Sequence, residues 1–150
     1  MDEIIDNALL AEISSKNHLR NLMVKSFKND TIVYKADYLK RPVILKIHEN
    51  KLNFNREIVS LRNLRGKNAR FPNLLYCENI KMGKKEIGYL IEECLTGSQL
   101  SELFYKYSLK EKERILYNVG EALGMLNYAI PQKDLLECGL WKYAYEGVND

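Results

Sequence analysis

Apolar residues in this chain recur with two periods, and the elements follow from where one period gives way to the other. Alternation at every second residue marks strands, and recurrence at three and four residues marks helices. Between residues 2 and 15, Ile5, Ala8, Leu9 and Ile13 share one helical face. Residues 19–27, LRNLMVKSF, are expected to form a strand. Lys28-Asn29-Asp30 is a turn triplet, because Asn and Asp bond their own backbone and tolerate left-handed conformations. Thr31 to Tyr38 is rich in β-branched and aromatic residues and reads as a second strand. Leu39-Lys40-Arg41 turns the chain into a third, the apolar run Val43-Ile44-Leu45-Lys46-Ile47. Pro42 suits the first position of that strand, where a missing donor is tolerated.

The period then lengthens. From about Asn53 to Arg65, Phe54, Ile58, Leu61 and Leu64 mark a helix stopped by Gly66. Leu74 to Met82 and Ile87 to Glu93 are strands joined by a hairpin turn at Gly83-Lys84-Lys85-Glu86. Gln99 to Tyr107 is expected to be a short helix. Ser108-Leu109-Lys110-Glu111 has the form of a capping box. It opens a long helix, Leu109 to Ala129, with Ile115, Val119, Ala122, Leu123 and Leu126 on one side and Pro131 as its stop. The order is helix, three strands, helix, two strands, then helices. Five strands with a helix after the third imply an α+β fold with a mixed sheet whose middle crossover is helical.

Composition narrows the class. The 150 residues are 46% hydrophobic and 29% charged, which suits one domain with a real core. A net charge of +3, spread without a basic block, is too mild for a nucleic-acid surface. No run approaches the ~18 apolar residues that span a bilayer. Neither nucleic acid nor membrane is therefore expected as a partner. Cys77, Cys94 and Cys138 are odd in number and far apart, as in a cytoplasmic protein with reduced thiols. With His18 and His48 they show no zinc spacing.

One polar residue breaks an apolar strand. In Val43-Ile44-Leu45-Lys46-Ile47, alternation places Ile44 and Lys46 on the same face. A lysine is a compact cation suited to phosphates, and Glu57 follows in the next helix. The competing reading of Lys46 is an edge-strand lysine that blocks aggregation. For Glu57 it is a first-turn acid favoured by the helix dipole.

Three segments together resemble the smaller lobe of the protein-kinase-like fold, in particular the aminoglycoside/choline-type phosphotransferases. Val33-Tyr34-Lys35-Ala36 and Ile44-Leu45-Lys46 are similar to that lobe's second and third strands. Arg56-Glu57 is similar to the helix that supplies the lysine's carboxylate. Leu90-Ile91-Glu92-Glu93-Cys94-Leu95-Thr96-Gly97-Ser98-Gln99-Leu100 is similar to the hinge. The resemblance covers roughly residues 18 to 130. It implies a mainly antiparallel five-stranded sheet with one packed helix. Residues 1–93 would be the small lobe, 94–98 the hinge and 99–150 the incomplete start of a helical lobe.

The resemblance also implies ATP as cofactor, with Lys46 on its phosphates and Glu57 orienting Lys46, an ion pair that kinases need for catalysis. Val33 and Ile44 would hold adenine, and the backbone of Glu93 and Leu95 would read its edge. Ser26, Asn29 and Thr31 would stand in a phosphate loop running from Ser26 to Thr31. That loop departs from protein kinases, since no glycine occurs before Gly66. The catalytic aspartate and metal-binding residues find no counterpart. Val148-Asn149-Asp150 carries a valine where some relatives have histidine. No catalytic residue is therefore assigned, and Mg²⁺ is expected only with a missing lobe. The long helix's stripe must bury against something. Either Trp141, Tyr143 and Tyr145 fold over it, or it meets a missing C-terminal half or a second copy. The expected function is the nucleotide-binding part of an enzyme that phosphorylates a small-molecule hydroxyl. The alternative is a non-catalytic kinase-like binding or dimerisation module.

Overall fold

The computed structural model describes residues 7–28, 30–66, 71–82, 85–98 and 100–129. The expectations placed on Ile5, Asn29, Gly83-Lys84, Gln99, and everything from residue 130 onward lie outside them. This includes Pro131, Cys138, Trp141, Tyr143, Tyr145 and the Val148-Asn149-Asp150 triplet. The side chain of Leu126 is likewise outside the description.

The elements are α1 (Asn7–Lys16), β1 (Leu19–Lys28), β2 (Thr31–Tyr38), β3 (Arg41–His48), α2 (Lys51–Leu64), β4 (Leu74–Met82), β5 (Lys85–Glu93), α3 (Leu100–Leu103) and α4 (Leu109–Ala129). A 3-10 turn, Phe104–Lys106, follows α3, so the expected helix from 99 to 107 is two shorter pieces. The strands form one sheet in the order β1-β2-β3-β5-β4. All four pairings are antiparallel. The mixed sheet expected from element order is thus corrected. The crossover through α2 skips one strand position, which returns β4 antiparallel to its neighbour. The mainly antiparallel sheet implied by the resemblance is what forms.

Among the described residues the chain divides into two compact units. One holds residues 7–54 and 74–94, and the other holds 55–66, 71–73 and 95–129. In the first, one sheet face carries Tyr34, Ala36, Val43, Leu45, Ile47, Ile87, Tyr89 and Ile91, packed with Leu9 and Ile13 of α1. Ala8, expected on the buried stripe, is exposed. Leu10 packs against the core from beside that stripe. In the second unit, Ile58, Leu61 and Leu64 are buried as their spacing predicts.

Local chemistry sets the element ends. The Asn50 side chain accepts from Leu52 N at 2.9 Å and Asn53 N at 3.2 Å, capping α2. The helix therefore begins at Lys51, and Glu57 lies beyond its first turn, which contains no acid. Gly66 follows the helix at φ +75°, a left-handed stop suited to glycine. At α4 the capping box forms as expected. Ser108 N donates to Glu111 Oε2 at 2.9 Å, and Glu111 N donates to Ser108 Oγ at 3.4 Å.

Candidate functional site

Strand register assembles the site. Ser26 of β1 stands opposite Val33 of β2, Val33 opposite Lys46 of β3, Lys46 opposite Leu90 of β5, and Leu90 opposite Cys77 of β4. Residues opposite each other across a ladder share a face. These five therefore form one row across the sheet, on the face away from the α1 core. The next row toward the end of β5 contains Lys35, Ile44 and Glu92. On the other side, Thr31, His48 and Gly88 form a third.

Lys46 is on β3, an interior strand between β2 and β5. That removes the edge-strand reading. Its Nζ lies 2.7 Å from Oε1 of Glu92, with side-chain exposures of 21% and 7%. Glu92 reaches Lys46 diagonally, from the register position opposite Ile44. Sequence reading missed Glu92 because it took the Glu92-Glu93 pair as part of a hinge. The available signal was alternation, which puts Glu92 on the face of Leu90. Nothing local shows that this strand lies beside β3.

The other predicted residues distribute as follows. Ser26, Thr31, Val33, Ile44 and Lys46 share the sheet face and are all partly buried. The expected loop from Ser26 to Thr31 is mostly strand, because β1 runs to Lys28 and β2 begins at Thr31. Asp30 takes the left-handed conformation of a tight hairpin, at φ 63°. Thr31 Oγ1 lies 3.0 Å from His48 Nδ1. Glu93 stands opposite Val43, so its side chain belongs to the α1 face. Glu57 is half-buried in α2, within the second unit. Leu95 is exposed in the same unit. Among the described residues no cluster of His, Cys, Asp or Glu could hold a metal ion, and no helix is long and apolar enough to cross a membrane.

The row next to Lys46 is seated by a close approach. A Cβ on Gly88 would stand 2.4 Å from Phe54 Cγ, so only glycine admits the first-turn ring of α2 there. The same ring lies 5.9 Å from that of His48.

The opposite face carries a separate polar network. Lys16 Nζ donates to both oxygens of Glu78 at 2.6 and 2.7 Å, and Tyr89 OH donates to Glu78 at 2.7 Å. Asn17 Nδ2 donates to Tyr89 OH at 3.0 Å. The Lys16 hydrogen bond, then that of Tyr89, holds the Glu78 carboxyl below its ordinary value. Burial pushes the Tyr89 phenol up. This network ties α1 to β4 and β5 beside a pocket of about 380 Å³ lined by Lys16, Asn17, His18, Tyr38, Leu75, Tyr76 and Ile91. Its polar groups satisfy one another, so it reads as a structural brace.

No protein family and no curated protein matches the sequence. Solved structures match by fold. The crystal structure of aminoglycoside phosphotransferase APH(4)-Ia aligns with a TM-score of 0.52 at 16% identity, over 64% of this chain and 32% of that one. A thermostable mutant of the same enzyme, in ternary complex with AMP-PNP and hygromycin B, aligns with a TM-score of 0.53 at 16% identity, over 65% and 32%. The fold is that of a kinase-like small lobe. The chain spans about a third of the length of the structures it matches.

Proposed function

We propose that this chain is the nucleotide-binding part of an ATP-dependent phosphotransferase of the aminoglycoside/choline type. The carrying observation is the Lys46 ammonium between Val33 and Leu90 on one sheet face, in a fold shared with a phosphotransferase whose complex holds AMP-PNP. The residues present suit a nucleotide. The Lys46 cation, suited to the phosphates, adjoins the apolar side chains of Val33 and Ile44, suited to the base.

In this reading Lys46 contacts phosphates and Glu57 helps orient it. Ser26, Asn29 and Thr31 line the phosphate end, and the backbone of Glu93 and Leu95 reads the adenine edge. Residues 1–93 act as the small lobe, 94–98 as the hinge and 99–150 as the start of a helical lobe. The complete reaction moves a γ-phosphoryl group to a small-molecule hydroxyl by positioning and electrostatics. Mg²⁺ binds only with a larger lobe, and the setting is cytoplasmic.

Calorimetric titration with AMP-PNP tests the reading. Binding by the purified chain, weakened at least about tenfold by Lys46→Ala, is the expected result. Equal affinities in the two proteins would remove Lys46 from the site. These 150 residues supply no catalytic aspartate set, so no ATP-dependent phosphorylation is expected from them alone. A turnover assay with radiolabelled ATP checks this.

A further inference from the structure

We infer that Glu92 is a positioning residue for Lys46, a second carboxylate that aims the ammonium at the nucleotide phosphates. The inference rests on the nucleotide-binding reading and assigns a role inside that site.

Four observations carry it. The contact is short, 2.7 Å from Nζ to Oε1. Glu92 is 5% exposed, so its carboxylate is not a surface group that meets a lysine by chance. A buried carboxylate is costly to desolvate and persists where a cation compensates it. Both residues stand on adjacent, hydrogen-bonded strands, Lys46 opposite Leu90 and Glu92 opposite Ile44. Their separation is therefore fixed by ladder geometry and does not depend on how a helix is placed. Finally, the Lys46 side chain keeps one-fifth of its surface exposed. An ammonium has three donors. Contact with one carboxylate is compatible with contact to phosphate oxygens at the same ammonium.

The chemistry follows from that geometry. A free lysine side chain samples many rotamers and loses that freedom on binding. Glu92 restricts Nζ before any ligand arrives, so less ordering remains when phosphates bind. The base contacts at Val33 and Ile44 do not pass through Lys46. Glu92 should therefore affect ligands that carry phosphates and leave the nucleoside unaffected.

The test uses the full chain and two probes, AMP-PNP and adenosine, with Glu92→Gln, Glu92→Asp, Lys46→Met and the Lys46→Met/Glu92→Gln double variant. Far-ultraviolet dichroism identifies the folded proteins. We expect Glu92→Gln to weaken AMP-PNP about tenfold and adenosine less than about twofold. In the Lys46→Met background it should cause no further loss, because Glu92 acts through Lys46. Glu92→Asp keeps the charge and should recover part of the affinity. It also serves as the test variant if Glu92→Gln does not fold, with weakening confined to AMP-PNP as the expected result.

Equal weakening of adenosine and AMP-PNP would make Glu92 a purely structural residue and overturn the inference. So would an unchanged AMP-PNP affinity, or a full additional loss in the Lys46→Met background. If the unmutated chain binds neither probe, the nucleotide-binding reading fails and this inference fails with it. Binding by the unmutated chain with no phosphate-selective effect sinks only the role of Glu92.

Discussion

Lys46 is informative because a charged side chain on an interior strand must be compensated. Its distance of 2.7 Å to Glu92 supplies that compensation. Removing one member of a buried pair costs more than removing both, since it leaves the other charge buried. Lys46→Met alone should therefore destabilise the fold by about 3–5 kcal/mol. Replacing both, as Lys46→Met with Glu92→Leu, should restore much of that stability. Urea unfolding of the three proteins checks this, and additive losses would mean that the pair contributes nothing as a pair. The lysine itself was legible in the sequence, as a charge in an apolar run. Glu92 was not, because its partner is 46 positions away and only strand pairing joins them.

At the scale of elements, two features hold the site's rows in register. The first is the close approach of Phe54 to Gly88 of β5. Gly88→Ala would drive a methyl group into the buried Phe54 ring. Overpacking of this kind costs about 1–3 kcal/mol, and thermal melts should show the fall. A melt identical to that of the unmutated chain would mean the ring moves aside freely. The second is irregularity in β1, whose register with β2 shifts between Arg20 and Met23 and again between Val24 and Ser26. Each shift adds one residue and exchanges the strand's faces. Without the second, Lys25 would face Val33 in place of Ser26. Asn21 accommodates the first with φ 54° and a 2.7 Å hydrogen bond to Asp37. Alternation along LRNLMVKSF does not reveal either shift, since both depend on the pairing strand. The capping box of α4 was legible, because its partners are three residues apart. Ser108→Ala should cost about 1 kcal/mol of helix stability, read from the same melts.

For the whole molecule, pH dependence follows from which groups folding perturbs. Glu78, Glu86 and Glu111 are held below their ordinary value, chiefly by hydrogen bonds from Lys16, Lys51 and Ser108 respectively. Their contribution is full above that ordinary value of 4.5 and fades as pH falls below it. Tyr89 is raised from 10 mainly by burial, and Lys16 is raised from 10.5 mainly by its hydrogen bond to Glu78. Their contributions are full below those values and are lost as pH rises through the raised ones. Urea midpoints should therefore be flat between about pH 5 and about pH 9 and fall on both sides. Glu78→Gln should make the acid limb shallower. The exposed apolar residues of α4, Leu116, Val119 and Leu123 among them, remain a face whose periodicity the sequence displays.

What the sequence by itself determined was what neighbours along the chain can decide. Helix and strand identities follow from period, the start of α4 follows from its capping box, and the shared face of Ile44 and Lys46 follows from alternation. These depend on interactions within a few residues. The tertiary structure alone decided that β3 lies between β2 and β5, that every pairing is antiparallel, that Ser26 faces Val33, and that Glu92 meets Lys46. Those outcomes depend on which strands hydrogen-bond across long separations, and the period of a single strand does not encode its partner.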